Sequence, residues 1–204
     1  MSEHSIQHGS FTIERRFEAS PTRVFAAWSN PEAKAAWFAA PKEECTELKR
    51  EFNFRLGGED RLSGKWIKHG RTSHFHNVYF DIVENERIVY VYDMHIDDKK
   101  ISVSLATIEF RPVGTGTLMV LREDGAFLDG YDDNGSREHG TKALVENLAR
   151  FFGVSSPSPP RGGERRAQAA LNKRRKRPSS ETGCEPASAT VVVLVAAAGV
   201  ISRL

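Results

Sequence analysis

His74 and His76 stand two residues apart, and side chains alternate across a strand, so both imidazoles would share one face of it. With His95 on a neighbouring strand, three histidines could hold zinc. No carboxylate or cysteine is spaced to complete a metal motif, so no metal is expected and none of the sequence calls for a cofactor. Partly exposed or hydrogen-bonded histidines are the plainer reading. His139 and Glu123 are the other pair with chemical potential. A cyclase-like enzyme needs an acid–base group within hydrogen-bond reach of its substrate, and His139 opens a helix while Glu123-Asp124 ends a strand. The plainer reading makes His139 a helix-start residue and the two acids a turn. The sequence has no nucleophile elbow, no phosphate-cradling glycine loop and no HExxH. Gly57-Gly58 reads as a strand-end turn, since no helix follows it.

Aromatic residues carry the remaining signal. Trp28, Trp37, Phe38, Trp66, Tyr90, Tyr92, Phe127 and Tyr131 are large rigid groups suited to the walls of an apolar cavity. Leu144 and Leu148 would join them from a helix, with His74 and His76 as polar groups. The competing reading is that these side chains fill the core.

These residues need elements to position them. Phe11, Ile13 and Phe17 alternate, which predicts a strand over 10–17. Ser20-Pro21 and Asn30-Pro31 each place a capping residue before a proline, the start signal of two short helices. Strand-like runs follow over 45–54, 58–67, 72–83, 87–95, 101–110 and 117–123, separated by turn residues. This spacing predicts an antiparallel meander rather than βαβ units. Ser136 is expected to cap a long helix that presents Gly140, Ala143, Leu144, Asn147, Leu148 and Phe151 on one face and stops at Gly153. The expected class is α+β: a curved seven-stranded antiparallel sheet, two short helices after the first strand, and a long C-terminal helix over an apolar cavity.

The 204 residues are 39% hydrophobic and carry a net charge of +2. Through Gly153 there are 20 Lys and Arg against 24 Asp and Glu, a net of −4. The remainder holds 9 against 3, a net of +6. An acidic body would repel phosphates, so nucleic acid is not an expected partner of the folded domain. Residues 1–9 are polar and expected to fray, with no secretion leader. Residues 154–204 are rich in Pro, Ser, Ala and Arg and include the cluster Lys173-Arg-Arg-Lys-Arg-Pro178. They read as a disordered basic tail that resembles a frame-shifted or read-through extension. Its apolar end, Val191 to Ile201, is shorter than the roughly 20 residues a bilayer span needs, so no membrane is expected. Cys45 and Cys184 are too far apart to read as a disulfide framework or metal spacing, which fits a cytoplasmic setting.

Several runs together resemble the activator-of-Hsp90-ATPase-homologue-like proteins, within the Bet v 1-like or START-related helix-grip (SRPBCC) superfamily. They are Arg16-Phe-Glu-Ala-Ser-Pro-Thr-Arg-Val-Phe25, Asn30-Pro-Glu with Trp37-Phe38, and Phe54-Arg-Leu-Gly-Gly58. Asp81-Ile-Val, Asn85-Glu-Arg-Ile-Val-Tyr90, Gly125-Ala-Phe-Leu-Asp-Gly-Tyr131 and His139-Gly-Thr-Lys-Ala-Leu144 follow in the family order. The resemblance covers nearly all of residues 10–153 and implies the helix-grip fold. That superfamily includes hydrophobic-ligand carriers, polyketide cyclases and co-chaperone domains. Three functions are therefore expected to compete. The first is a carrier or sensor of a small hydrophobic molecule. The second is a cyclase- or hydrolase-like enzyme in the same cavity. The third is a stress-related association with a chaperone ATPase, or self-association.

Overall fold

The structure, a computed structural model, describes residues 4–153. Its seven strands are β1 (Ile6–Phe17), β2 (Cys45–Glu51), β3 (Glu59–Trp66), β4 (Thr72–Val83), β5 (Arg87–Ile96), β6 (Lys99–Val113) and β7 (Gly116–Leu128). They form one antiparallel sheet in the order β1-β7-β6-β5-β4-β3-β2. The meander from β2 to β7 is thus completed by β1, which pairs along its whole length with β7, from Ile6 opposite Leu128 to Phe17 opposite Thr117. Register shifts at Glu47/Lys49, Tyr79/Asp81 and Met94/His95 mark bulges, which bend a sheet and raise its local twist. Three helices complete the α+β domain: α1 (Pro21–Ser29), α2 (Pro31–Trp37) and α3 (Asn134–Phe151).

The two short helices begin where the sequence says they should. Pro21 and Pro31 occupy the first turns, and the Asn30 side chain accepts a hydrogen bond from the Ala33 amide at 2.9 Å. The Trp37 indole N–H donates to the Ala27 carbonyl at 2.8 Å and so fixes α2 against α1. Along β5 the alternation is complete: Ile88, Tyr90, Tyr92, Met94 and Ile96 are buried, with less buried residues between them.

Strand β2 stops at Glu51 and β6 runs from Lys99 to Val113, against the expected 45–54 and 101–110, and three further boundaries differ in ways that bear on the site. Strand β1 begins at Ile6, so residues 6–9, expected to fray, are paired with β7. Backbone pairing at a sheet edge needs no apolar side chains, which is why their polarity misleads. Strand β7 continues five residues past Glu123, through Gly125. That glycine is not a turn. A Cβ there would lie 2.9 Å from the Phe127 ring and 3.1 Å from Ser104 Oγ, so the inner face of the strand has room only for hydrogen. Finally, α3 is capped by Asp133, whose carboxylate accepts from the Ser136 amide at 2.9 Å. Its buried residues are Arg137, Gly140, Thr141, Val145, Leu148 and Ala149. The buried stripe is thus rotated from the expected one, and Phe151 is largely exposed. The basic, Pro-rich tail and Cys184 lie outside the described residues.

Candidate ligand cavity

The inner face of the sheet meets the helices around a small cavity of about 40 Å³. Strand β5 contributes Tyr90, Tyr92 and Met94, β4 contributes Phe75, and β7 contributes Leu121 and Glu123. The helical wall is Trp28 from α1, Trp37 and Phe38 at the end of α2, and Arg137, Thr141, Leu144 and Val145 from α3. The rings pack edge to face, as their quadrupoles favour: Trp28 and Trp37 centroids are 4.8 Å apart, and Trp37 and Phe38 are 5.5 Å apart.

A buried polar network closes one side. The Tyr92 hydroxyl donates to Glu123 Oε1 at 2.5 Å and accepts from Arg137 Nη1 at 2.7 Å. Arg137 Nη2 donates to Ser102 Oγ at 2.6 Å and to Asp132, while Thr141 Oγ1 donates to Glu123 Oε2 at 3.4 Å. Burial raises the Glu123 carboxyl above the usual range, against the opposing pull of Arg137 and Tyr92. Burial likewise raises Asp132, with Arg137 opposing it. Burial alone would lower Arg137, but Tyr92, Asp132 and Glu123 outweigh it and hold the guanidinium charged. One cation thus serves two carboxyl groups, in direct contact with Asp132 and at 4.0 Å from Glu123.

Two donors of this wall are unused. Trp28 Nε1 and Arg137 Nε are both buried, and neither has a hydrogen-bond partner among the described residues. Buried polar groups are nearly always paired, so an orphan donor beside a cavity marks a place for an acceptor.

The structure brings together only part of the set named from sequence. Trp28, Trp37, Phe38, Tyr90, Tyr92, Leu144 and Glu123 line the cavity. Leu148 is fully buried in the core, and Trp66 packs at the far end of β3, where its indole N–H donates to Ser73 Oγ at 3.1 Å. Phe127 lies against the Arg137 guanidinium, 5.9 Å from ring centroid to Cζ, and Tyr131 stacks under Lys99 Nζ at 5.1 Å. None of these four reaches the cavity wall.

His74 and His76 are on the opposite face of the sheet. Ser73, Asn77 and Tyr79 take the inward positions of β4, so the even-numbered histidines point away. There His74 Nδ1 meets Ser63 Oγ at 2.8 Å and His76 Nε2 meets Glu59 at 3.1 Å. His95 pairs opposite His74 but binds Asp93 at 3.4 Å, and no group of three or more described His, Cys, Asp or Glu could hold a metal ion. His139 is exposed on the outer side of α3, so it cannot serve as the partner of Glu123. A helical residue two positions from Arg137 lies about 200° around the axis, which turns His139 to solvent while Arg137 faces inward. Arg137, Asp132 and Thr141 were not legible as site residues, because polar residues read as surface. The available signal was Arg137 on the same face as Gly140 and Thr141, a charge inside a buried stripe.

No helix among the described residues is long and apolar enough to cross a membrane. The family model of the activator of Hsp90 ATPase homolog 1-like proteins matches residues 18–153. A solved structure of a Rhizobium leguminosarum protein is 41% identical, with a TM-score of 0.70 over 74% of this chain and 99% of its own. The Mll3558 protein of Rhizobium loti is 36% identical, with a TM-score of 0.66 over 72% of this chain and 99% of its own. An AHSA1-like protein from Aeromonas hydrophila shares the fold at 17% identity, with a TM-score of 0.55 over 74% of this chain and 99% of its own. No curated protein matches the sequence. The helix-grip architecture, the extent of the family match and the identity to the Rhizobium structures agree: this chain belongs to the activator of Hsp90 ATPase homolog 1-like family.

Proposed function

We propose that the domain binds a small hydrophobic molecule with a hydrogen-bond-accepting end, acting as a cytoplasmic carrier or sensor. The observation that carries this reading is the pair of donors unsatisfied among the described residues, Trp28 Nε1 and Arg137 Nε, on residues that line the cavity. A ligand carbonyl, phenol or carboxylate would satisfy them, and its apolar body would lie among Phe38, Phe75 and Leu144. At about 40 Å³ the cavity holds only a few water-sized volumes, against roughly 300–1,000 Å³ for small-molecule sites. Binding on this reading requires α3 and the α2 end to move outward, and Phe75 and Leu144 are only partly buried, so they are the walls with least to lose.

The test is native mass spectrometry of the purified full chain, followed by displacement of an apolar fluorescent dye with a panel of aromatic and aliphatic acids. A co-purified small molecule, or saturable displacement by at least one class, is the expected result. Neither adduct nor dye binding would overturn the reading.

A second reading, acid–base catalysis in the same cavity, is favoured by one feature. Glu123 is a buried carboxyl with a raised proton affinity, hydrogen-bonded to a tyrosine on the cavity wall. Turnover of a bound compound that disappears in Glu123→Gln while binding persists would support it.

A further inference from the structure

A buried amine lies beside the cavity, on α2. Lys34 is only 6% exposed. Its Nζ sits 4.0 Å from the Trp28 ring centroid, 4.5 Å from Phe38 and 4.7 Å from Trp37. An ammonium has three donors, yet Lys34 Nζ makes no hydrogen bond and no ion pair with any described residue. The nearest buried carboxylate, Asp60, is already occupied: it accepts from the Tyr79 hydroxyl and from the Asn53 amide at 3.1 Å. Lys34 also lines a separate small cleft of about 20 Å³ between α2 and β3, with Phe38, Phe75 and Asp60 among its walls. Phe38 and Phe75 are shared with the larger cavity.

We propose that Lys34 is a reactive amine that captures small aldehydes or ketones as a reversible imine. A lysine amine that burial strips of water is a nucleophile because the site disfavours its protonated form. Burial pushes the Lys34 amine down to about 7, with Asp60 opposing and Arg50 assisting. In the reaction the nitrogen lone pair forms the C–N bond as the carbonyl π pair moves to oxygen. One nitrogen proton passes to that oxygen and gives the carbinolamine. The second nitrogen proton then leaves with the hydroxyl group as water, and the C=N bond remains. No oxidant or reductant is consumed.

This site does not depend on the ligand reading of the larger cavity. The test uses the full chain with propanal at pH 7 and cyanoborohydride, which reduces any imine to a stable alkylamine, followed by peptide-resolved mass spectrometry. Lys34 should be alkylated at least about tenfold faster than exposed lysines such as Lys42 and Lys68, because an amine in water is almost wholly ammonium at pH 7 and only the free amine attacks a carbonyl. The ratio should fall towards one as the pH is raised to about 10, where exposed amines deprotonate too. Alkylation of Lys34 at a rate equal to or below that of the exposed lysines at pH 7 would overturn the proposal. The comparison is internal to one folded protein, so no variant needs to fold for it to be decisive.

Discussion

Tyr92 and Glu123, on β5 and β7, are joined by a 2.5 Å hydrogen bond across the intervening strand β6, and the same hydroxyl accepts from Arg137 of α3. A single phenol oxygen therefore ties the sheet to the long helix inside the protein. Removing it leaves a buried carboxyl and a buried guanidinium each short of a partner. Tyr92→Phe should destabilise the domain by about 2–4 kcal/mol, since unmade bonds to buried charged groups cost more than neutral ones. Urea denaturation of the variant and the parent chain measures this. A change under about 0.5 kcal/mol, the size of an ordinary surface substitution, would show that water replaces the hydroxyl.

Glu123 gives a pH signature. Its folded carboxyl binds its proton more tightly than the unfolded one, chiefly through burial. The folded state then holds more protons just above the ordinary carboxylate range, so this residue's contribution to stability falls as the pH rises through that window. Glu123→Gln should flatten the stability profile there, as read from thermal melts at a series of pH values. An unchanged slope would place the titration elsewhere.

Lys34 has the opposite sign. Its folded amine loses its proton at about 7, against an ordinary 10.5. Between these values the unfolded chain binds more protons, so the Lys34 contribution raises stability as pH increases across the window and is at its least favourable below it. Lys34→Met should remove that rise and be relatively more stable than the parent at pH 6 than at pH 10. The three surrounding rings favour the ammonium and so oppose the effect of burial. Equal pH slopes for both chains would exclude a depressed Lys34.

Cavity volume offers a steric test of ligand binding. Leu144 lines the wall and is only partly buried. Leu144→Ala should strengthen binding of an apolar dye several-fold, whereas Leu144→Trp should weaken it by a similar factor, with both folds checked by circular dichroism. Dye affinity that ignores both changes would locate the dye outside this cavity.

Gly116 tests the closure of the sheet by its first strand. A Cβ at this position would lie 2.3 Å from the Phe17 carbonyl oxygen, a backbone atom that cannot swing aside. Gly116→Ala should cost about 2 kcal/mol or more, of the size seen when a core or backbone clash must be relieved. A loss below about 0.5 kcal/mol would mean that the β1–β7 end shifts freely.

The sequence by itself determined the element order, the antiparallel meander, the two proline-started helices and the family. These follow from local rules: alternation along β5, Asn30 and Pro31 at a helix start, turn residues between apolar runs. It also named the Trp28, Trp37, Phe38, Tyr90 and Tyr92 rings that meet at the cavity. Only the tertiary structure decided which face each chemical group takes. His74 and His76 share a strand face as expected, but the register that buries Ser73 and Tyr79 sends both histidines to the outer side. His139 and Arg137 are two residues apart on one helix, and the packing of α3 buries the arginine and exposes the histidine. The buried charges Lys34, Asp60, Asp132 and Arg137 were illegible for a physical reason. Polar residues are read as surface because burying a charge alone is costly. The partners that offset this cost for Arg137, the Tyr92 hydroxyl and the Asp132 carboxylate, are brought together only by folding.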